Sequence, residues 1–146
     1  MRAITMLLCL YIMSASIYAQ TTLHKKINVS NKDILCVAET IYSEARGESL
    51  TGQLAVGATI VTRSTKIFHK PACKIVKQQY TQKRIPAKDK EEFIKLATNI
   101  LRGNAKNPIG NLDSFDSFKH RYSKRPRKSV KIGKHYFYKI IKIEKV

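Results

Sequence analysis

Residues 31–48 read Asn-Lys-Asp-Ile-Leu-Cys-Val-Ala-Glu-Thr-Ile-Tyr-Ser-Glu-Ala-Arg-Gly-Glu, and their periodicity decides the fold. Ile34, Val37, Ala38, Ile41 and Ala45 recur at steps of three and four, the spacing of one face of an α-helix. Ser30 or Asn31 can cap its start, Asp33 suits the first turn, and Gly47 can end it in a left-handed cap. A second helix is expected to begin after Ser49 or Thr51, with Leu54, Ala58 and Val61 on one face. Gly52 and Gly57 lower its propensity, so they signal either close packing or a less regular helix. Two helices joined by so short a turn pack as a hairpin.

Further along, residues 64–86 are basic, contain Pro71 and Pro86, and read as irregular. Lys88 to Arg102 is a clear amphipathic helix, with Phe93, Ala97, Ile100 and Leu101 inward and Gly103 at its end. Residues 104–128 hold Pro108, Pro126 and the basic run Lys119 to Lys128, and read mostly as loop. Val130 to Ile143 is rich in Ile, Tyr and Phe and reads as short antiparallel strands turned near Gly133. The sum is a small single α+β domain over 31–146, with an N-terminal helical hairpin, a later helix and a C-terminal sheet.

Upstream, Arg2, the apolar run Met6 to Met13 and the small residues before Ala19 have the layout of a signal peptide over 1–19. Residues 20–30 then read as a flexible tether. The expectation is an exported protein, periplasmic or extracellular, with a retained membrane anchor as the variant reading. The 146 residues carry 28 Lys and Arg against 10 Asp and Glu, a net charge of +18. Such a surface attracts polyanions, and export makes anionic cell-wall polymers a better fit than a specific nucleic acid. With Cys9 in the signal, Cys36 and Cys73 remain as an even pair, either bridged or left as two buried thiols. Neither lies at zinc-ligand spacing from another Cys or His, so no metal and no cofactor are expected.

Ten acids can be sorted one by one. Asp33, Asp89, Glu91 and Glu92 sit at helix starts, where the dipole favours them. Glu44 is different. It follows Val37 by seven residues and Ile41 by three, so it shares the apolar face near the C-terminal end of its helix. Burial and the dipole both push such a carboxyl toward the protonated form that a glycosidic general acid needs. Periodicity leaves a second role open, a buried Glu paired to Arg46 or Arg63. A two-carboxylate glycosidase also needs a partner acid, for which Glu48, Asp113 and Asp116 are the candidates.

Tyr42-Ser43-Glu44-Ala45-Arg46-Gly47-Glu48, then Gly52-Gln53-Leu54-Ala55-Val56 and Arg63, resembles the spore-cortex-lytic family of cell wall hydrolases. Ile132-Gly133-Lys134-His135-Tyr136-Phe137-Tyr138 resembles the C-terminal strand of that family, and the likeness spans about residues 33–138. Cys36 and Cys73 also fall where its members often carry cysteines. The resemblance implies a lysozyme-like fold, one essential glutamate matching Glu44, and cleavage of peptidoglycan between N-acetylmuramic acid and N-acetylglucosamine. It implies lytic transglycosylase action, which leaves a 1,6-anhydro end. The chain departs from the pattern at Thr62, where the family has Asn, and in having no Trp.

The remaining candidates for substrate contact are Arg46, Glu48, Gln53, His135 and Tyr136. Arg46 and Glu48 have a plainer reading as an ion pair at the helix exit, and Gln53 as a helix cap. The strand aromatics have one as core. The expected state is a monomer acting on peptidoglycan. Rival readings are a peptidoglycan amidase, a Cys–His peptidase using Cys36 with His135, and a basic polyanion-binding module without activity.

Overall fold

The computed structural model describes residues 29–117 and 129–140. The segment 1–19, nearly all of the tether, the basic run 119–128 and the end of the tail lie outside the described residues. Helix α1 spans Asn31–Ala45. Ser30 caps it by accepting the Asp33 N–H at 3.1 Å, and Ile34, Val37, Ala38, Ile41 and Ala45 are buried as their spacing requires. Its exit differs from expectation. The cap residue Arg46 is right-handed, the Glu48 N–H donates to the Ala45 carbonyl at 2.9 Å, and Gly47 stays out of the left-handed region. With that bond closing the turn, no left-handed residue is needed.

Helix α2 (Leu50–Thr62) starts at Ser49, whose Oγ accepts the Gly52 N–H. It runs through the middle of the domain, so its burial is not confined to one stripe. Ala55, Val56 and Ile60 are fully buried, whereas Leu54 and Val61, expected to point inward, are half-buried. Gly57 marks the closest approach: a Cβ there would meet Ile100 Cδ1 at 2.5 Å and Ile41 Cδ1 at 3.2 Å. Close packing therefore accounts for this glycine. The helix continues into one π-helical turn, Arg63–Ile67, closed by the Phe68 N–H on the Arg63 carbonyl at 2.9 Å.

The stretch expected to be irregular holds helix α3 (Ala72–Gln79). Its exposed Lys74 and Lys77 hide a short buried face of Ala72, Cys73, Ile75 and Val76. Its first turn is completed from a distance, because Asp33 Oδ1 accepts the Cys73 N–H at 2.9 Å. Cys36 and Cys73 are joined in a disulfide that ties α1 to α3. Helix α4 (Ala87–Leu101) matches its expected span, with Phe93, Ala97 and Ile100 buried.

Residues 104–128 were expected to be loop, yet Ser114–Asp116 form strand β1. This strand is specified by its partner and not by local propensity. It pairs antiparallel with β3 (His135–Tyr138), Phe115 opposite Phe137, and β3 pairs in turn with β2 (Ser129–Ile132). The order β1-β3-β2 puts β3 in the centre, and Phe137 is fully buried. Gly133, at φ 58°, makes the β2–β3 turn where a hairpin was expected. The architecture is thus the expected α+β domain, helices first and sheet last. Among the described residues, no helix is long and apolar enough to cross a membrane.

The bridge closes a loop across a separation of 37 residues, which by chain entropy is worth about 3–4 kcal/mol. Replacing both Cys36 and Cys73 by Ala is expected to lower unfolding stability by that amount in urea titrations.

Candidate active site

Glu44 stands near the end of α1, at the edge of the buried stripe and half-buried. Two depressions share it as a wall. One, of about 340 Å³, is lined with Glu44 by Arg63, Gln79, Tyr80, Ser114, Phe115, Asp116 and Tyr138. The other, of about 520 Å³, lies beside Ser43, Arg46, Glu48, Ser117, Lys134 and His135. A carboxyl flanked on both sides by open space is the arrangement an extended polymer needs if a bond near its middle is to meet the acid.

The alternative role of Glu44, as partner to an arginine, is not the observed one. Arg63 donates Nε to the Asp113 carbonyl at 2.5 Å and Nη2 to Ser114 Oγ at 2.9 Å, with Nη1 on Gln79 Oε1. The Arg46 guanidinium lies 5.2 Å from the centre of the Tyr42 ring. The expected Arg46–Glu48 pair is likewise replaced. Glu48 Oε2 accepts the Lys134 N–H at 3.2 Å, and a Cβ on Gly133 would collide with that carboxylate. Glu48 thereby pins the β2–β3 turn against the exit of α1.

The other candidates separate into groove and scaffold. His135 is 7% exposed and lines the wider depression, its ring edge-on to Phe115 at 5.1 Å. Tyr136 projects from the opposite face of β3, half-buried, with Lys131 Nζ 5.4 Å from its ring centre, and it lines neither depression. Gln53 is buried and donates to the Glu48 carbonyl at 3.3 Å, tying α2 to the exit of α1, while Ser49 and not Gln53 is the cap. Of the possible second acids, Asp113 is 3% exposed and accepts from the Ile140 N–H at 2.9 Å and Ser114 Oγ at 3.0 Å. Asp116 shares the narrower depression with Glu44, and its Oδ2 accepts the Tyr138 hydroxyl at 2.7 Å.

The residue that sequence reasoning missed is Tyr80. It follows α3 in a stretch without periodicity, so nothing local marks it. Its ring stacks on Phe115 at 5.8 Å, and Arg63 lies 5.9 Å from its centre. Burial raises the phenol above its usual 10.0, opposed by the Arg63 charge and by Arg63 donating toward the phenol oxygen, with Glu44 and Asp113 adding to the rise. Among the described residues, three buried side-chain polar atoms lack a hydrogen-bond partner: Ser43 Oγ, Tyr80 Oη and His135 Nδ1. All three residues line the depressions beside Glu44. Leaving such a group unpaired costs about 1–3 kcal/mol, so their concentration at one groove singles it out.

Residues 47–138, well over half of the chain, match the family model described as Cell Wall Hydrolase. The chain belongs to the cell wall hydrolase family. Glu44 lies three positions before the matched stretch. The hydrolase is also similar to the catalytic domain of the germination-specific lytic transglycosylase SleB from Bacillus anthracis. That likeness has 28% identity and a TM-score of 0.54, over 77% of this chain and 98% of that one. The catalytic domain of the Bacillus cereus SleB protein is similar at 29% identity and TM-score 0.52, over 77% of this chain and 94% of that one. No curated protein matches the hydrolase.

The rival built on Cys36 fails on chemistry. A cysteine nucleophile must be a free thiolate, and Cys36 Sγ is bonded to Cys73, away from the groove that His135 lines. Among the described residues, no group of three His, Cys, Asp or Glu side chains is placed to hold a metal ion.

Two outcomes follow from this geometry. Gly133→Ala forces a Cβ onto Glu48 in a left-handed turn and is expected to cost at least about 1–2 kcal/mol in thermal melts. Because the folded state holds Tyr80 protonated where the unfolded chain ionises, Tyr80 contributes a loss of stability as pH rises past about 10. The stability difference between Tyr80→Phe and wild type therefore grows in favour of the variant above that pH in denaturant titrations.

Proposed function

We propose that this hydrolase cleaves the glycan strands of peptidoglycan as a lytic transglycosylase, with Glu44 as its only acid/base. The observation that carries the reading is the position of Glu44 between two depressions, within the segment that resembles the family's glutamate motif. The likeness to two SleB catalytic domains, one of them from a germination-specific lytic transglycosylase, supports it. Family membership supplies the coarser part, action on the wall.

In this mechanism the Glu44 carboxyl gives its proton to the glycosidic oxygen as the bond from that oxygen to the muramic C1 breaks. The 6-hydroxyl of the same muramic residue then attacks C1. Its proton passes to the Glu44 carboxylate, which restores the acid. No water is consumed, and the product is a 1,6-anhydro end with a free 4-hydroxyl on the leaving sugar. In this reading His135 and Arg46, which line the wider depression beside Glu44, contact the strand. The signal-like N-terminus fits delivery to the wall, and the net charge of +18 fits retention on its anionic polymers.

A second reading is ordinary hydrolysis with Asp116 as the second carboxylate, since that residue borders the same depression as Glu44. Digestion of purified peptidoglycan followed by mass spectrometry separates the two. The expected products are anhydro-muropeptides, lost by at least about 10³-fold in Glu44→Gln, with Asp116→Asn retaining measurable activity. Reducing ends lost in both variants would move the assignment to a two-carboxylate hydrolase. Cleaved stem peptides, or full activity in Glu44→Gln, would refute the mechanism.

A further inference from the structure

Tyr80 has no place in the mechanism above, yet its surroundings are those of a binding group. It borders the narrower depression together with Glu44, and its buried hydroxyl has beside it only Arg63, which can donate but not accept, so the O–H itself has no acceptor. Its ring is held in place by stacking on Phe115. Arg63, on the other side, is fixed by the Asp113 carbonyl, Ser114 Oγ and Gln79 Oε1. A tyrosine so constrained, with its donor unused, costs the empty protein stability that a ligand oxygen returns.

The wall around it narrows the ligand class. Of the neighbouring acceptors, Gln79 Oε1 and the Asp113 carbonyl are engaged by Arg63 and Asp116 Oδ2 by the Tyr138 hydroxyl, while the Glu44 carboxyl is the group the proposed mechanism uses. A ligand group entering here meets an unused donor next to the flat apolar faces of Tyr80 and Phe115. A sugar hydroxyl brings a proton that needs an acceptor of its own. An acetamido group brings a carbonyl to accept and a methyl to pack on an aromatic ring. Both amino sugars of peptidoglycan carry one.

We propose that Tyr80 is a substrate-binding residue of this groove, its hydroxyl donating to the acetamido carbonyl of the sugar bound on the narrower side of Glu44. The inference rests on the reading of the groove as a glycan site and deepens it, by making N-acetylation on that side a determinant of specificity. Ionisation does not interfere, because burial keeps the phenol protonated throughout the neutral range.

The test uses Tyr80→Phe, which removes one oxygen and keeps the ring, beside wild type and Glu44→Gln. Each is assayed on peptidoglycan and on the same peptidoglycan chemically de-N-acetylated. The expected result is a roughly tenfold lower kcat/KM for Tyr80→Phe on the acetylated wall, the size of one hydrogen bond. On the de-N-acetylated wall, the gap between Tyr80→Phe and wild type shrinks to within about twofold. Thermal stability of the variant is equal to or above wild type, since an unpaired buried hydroxyl has been removed. A structural tyrosine would instead lose melting temperature and show the same activity ratio on both walls, and either result overturns the proposal. An unchanged kcat/KM on the acetylated wall does so too. If Glu44→Gln stays active, the glycan-site reading itself fails. If Glu44→Gln is inactive while Tyr80→Phe behaves as wild type, only the role of Tyr80 is lost.

Discussion

The Arg63 guanidinium is the contact on which the groove depends. It reaches the Asp113 carbonyl, Ser114 Oγ and Gln79 Oε1 at once, and so joins the end of α2 to the end of α3 and the start of β1. These three pieces are separate in sequence, and the guanidinium is a polar contact shared by all of them. A planar cation with several donors suits such a junction, where a lysine would supply a point charge without the fork. The π-helical turn begins at this residue. One wider turn changes the direction in which the following chain leaves α2, and such turns recur at functional sites. Arg63 is thereby part of the groove wall without reaching for Glu44.

Much of the helical framework was legible in the sequence because it is written locally. Ser30, Ser49 and the stripes of α1 and α4 act within a few residues of themselves, and the structure follows them. The position of Glu44, at the edge of the buried stripe near the end of α1, was legible for the same reason, since a carboxylate breaking an apolar stripe is visible from spacing alone. What spacing hid was what depends on distant partners. Helix α3 takes its first-turn acceptor from Asp33, 40 residues upstream, and its buried face is only four residues long. Strand β1 exists because β3 pairs with it. Tyr80 acquires its meaning from Phe115 and Arg63, neither of which lies near it in the chain.

The side chains near the end of α1 show how close chemistry and scaffold lie in this fold. Glu44 and Glu48 are one helical turn apart, yet one borders open space on two sides and the other holds a hairpin. The difference comes from the sheet. Lys134 and Gly133 meet Glu48 and convert its carboxylate into a turn anchor. Glu44 receives no such partner from Arg46 or Arg63, whose guanidinium groups are engaged elsewhere. Among the described residues Glu44 thus keeps the unengaged carboxyl that the proposed mechanism requires, and that is a property of its neighbours more than of its own position.

The disulfide has a bearing on the groove although it lies outside it. Cys36 is eight residues before Glu44 on α1, and Cys73 is seven residues before Tyr80 at the end of α3. Each is about two helical turns from its groove residue. A bridge between the two helices therefore fixes the relative position of the acid and the phenol through two stiff rods. The Asp33–Cys73 bond sets the register of the same pair of helices without covalent help. Three buried polar atoms without partners lie at the groove and cost stability there, and the disulfide ties together the two helices that deliver its side chains. The cost of those unpaired groups is tolerable because the helices beneath them are held both covalently and by burial.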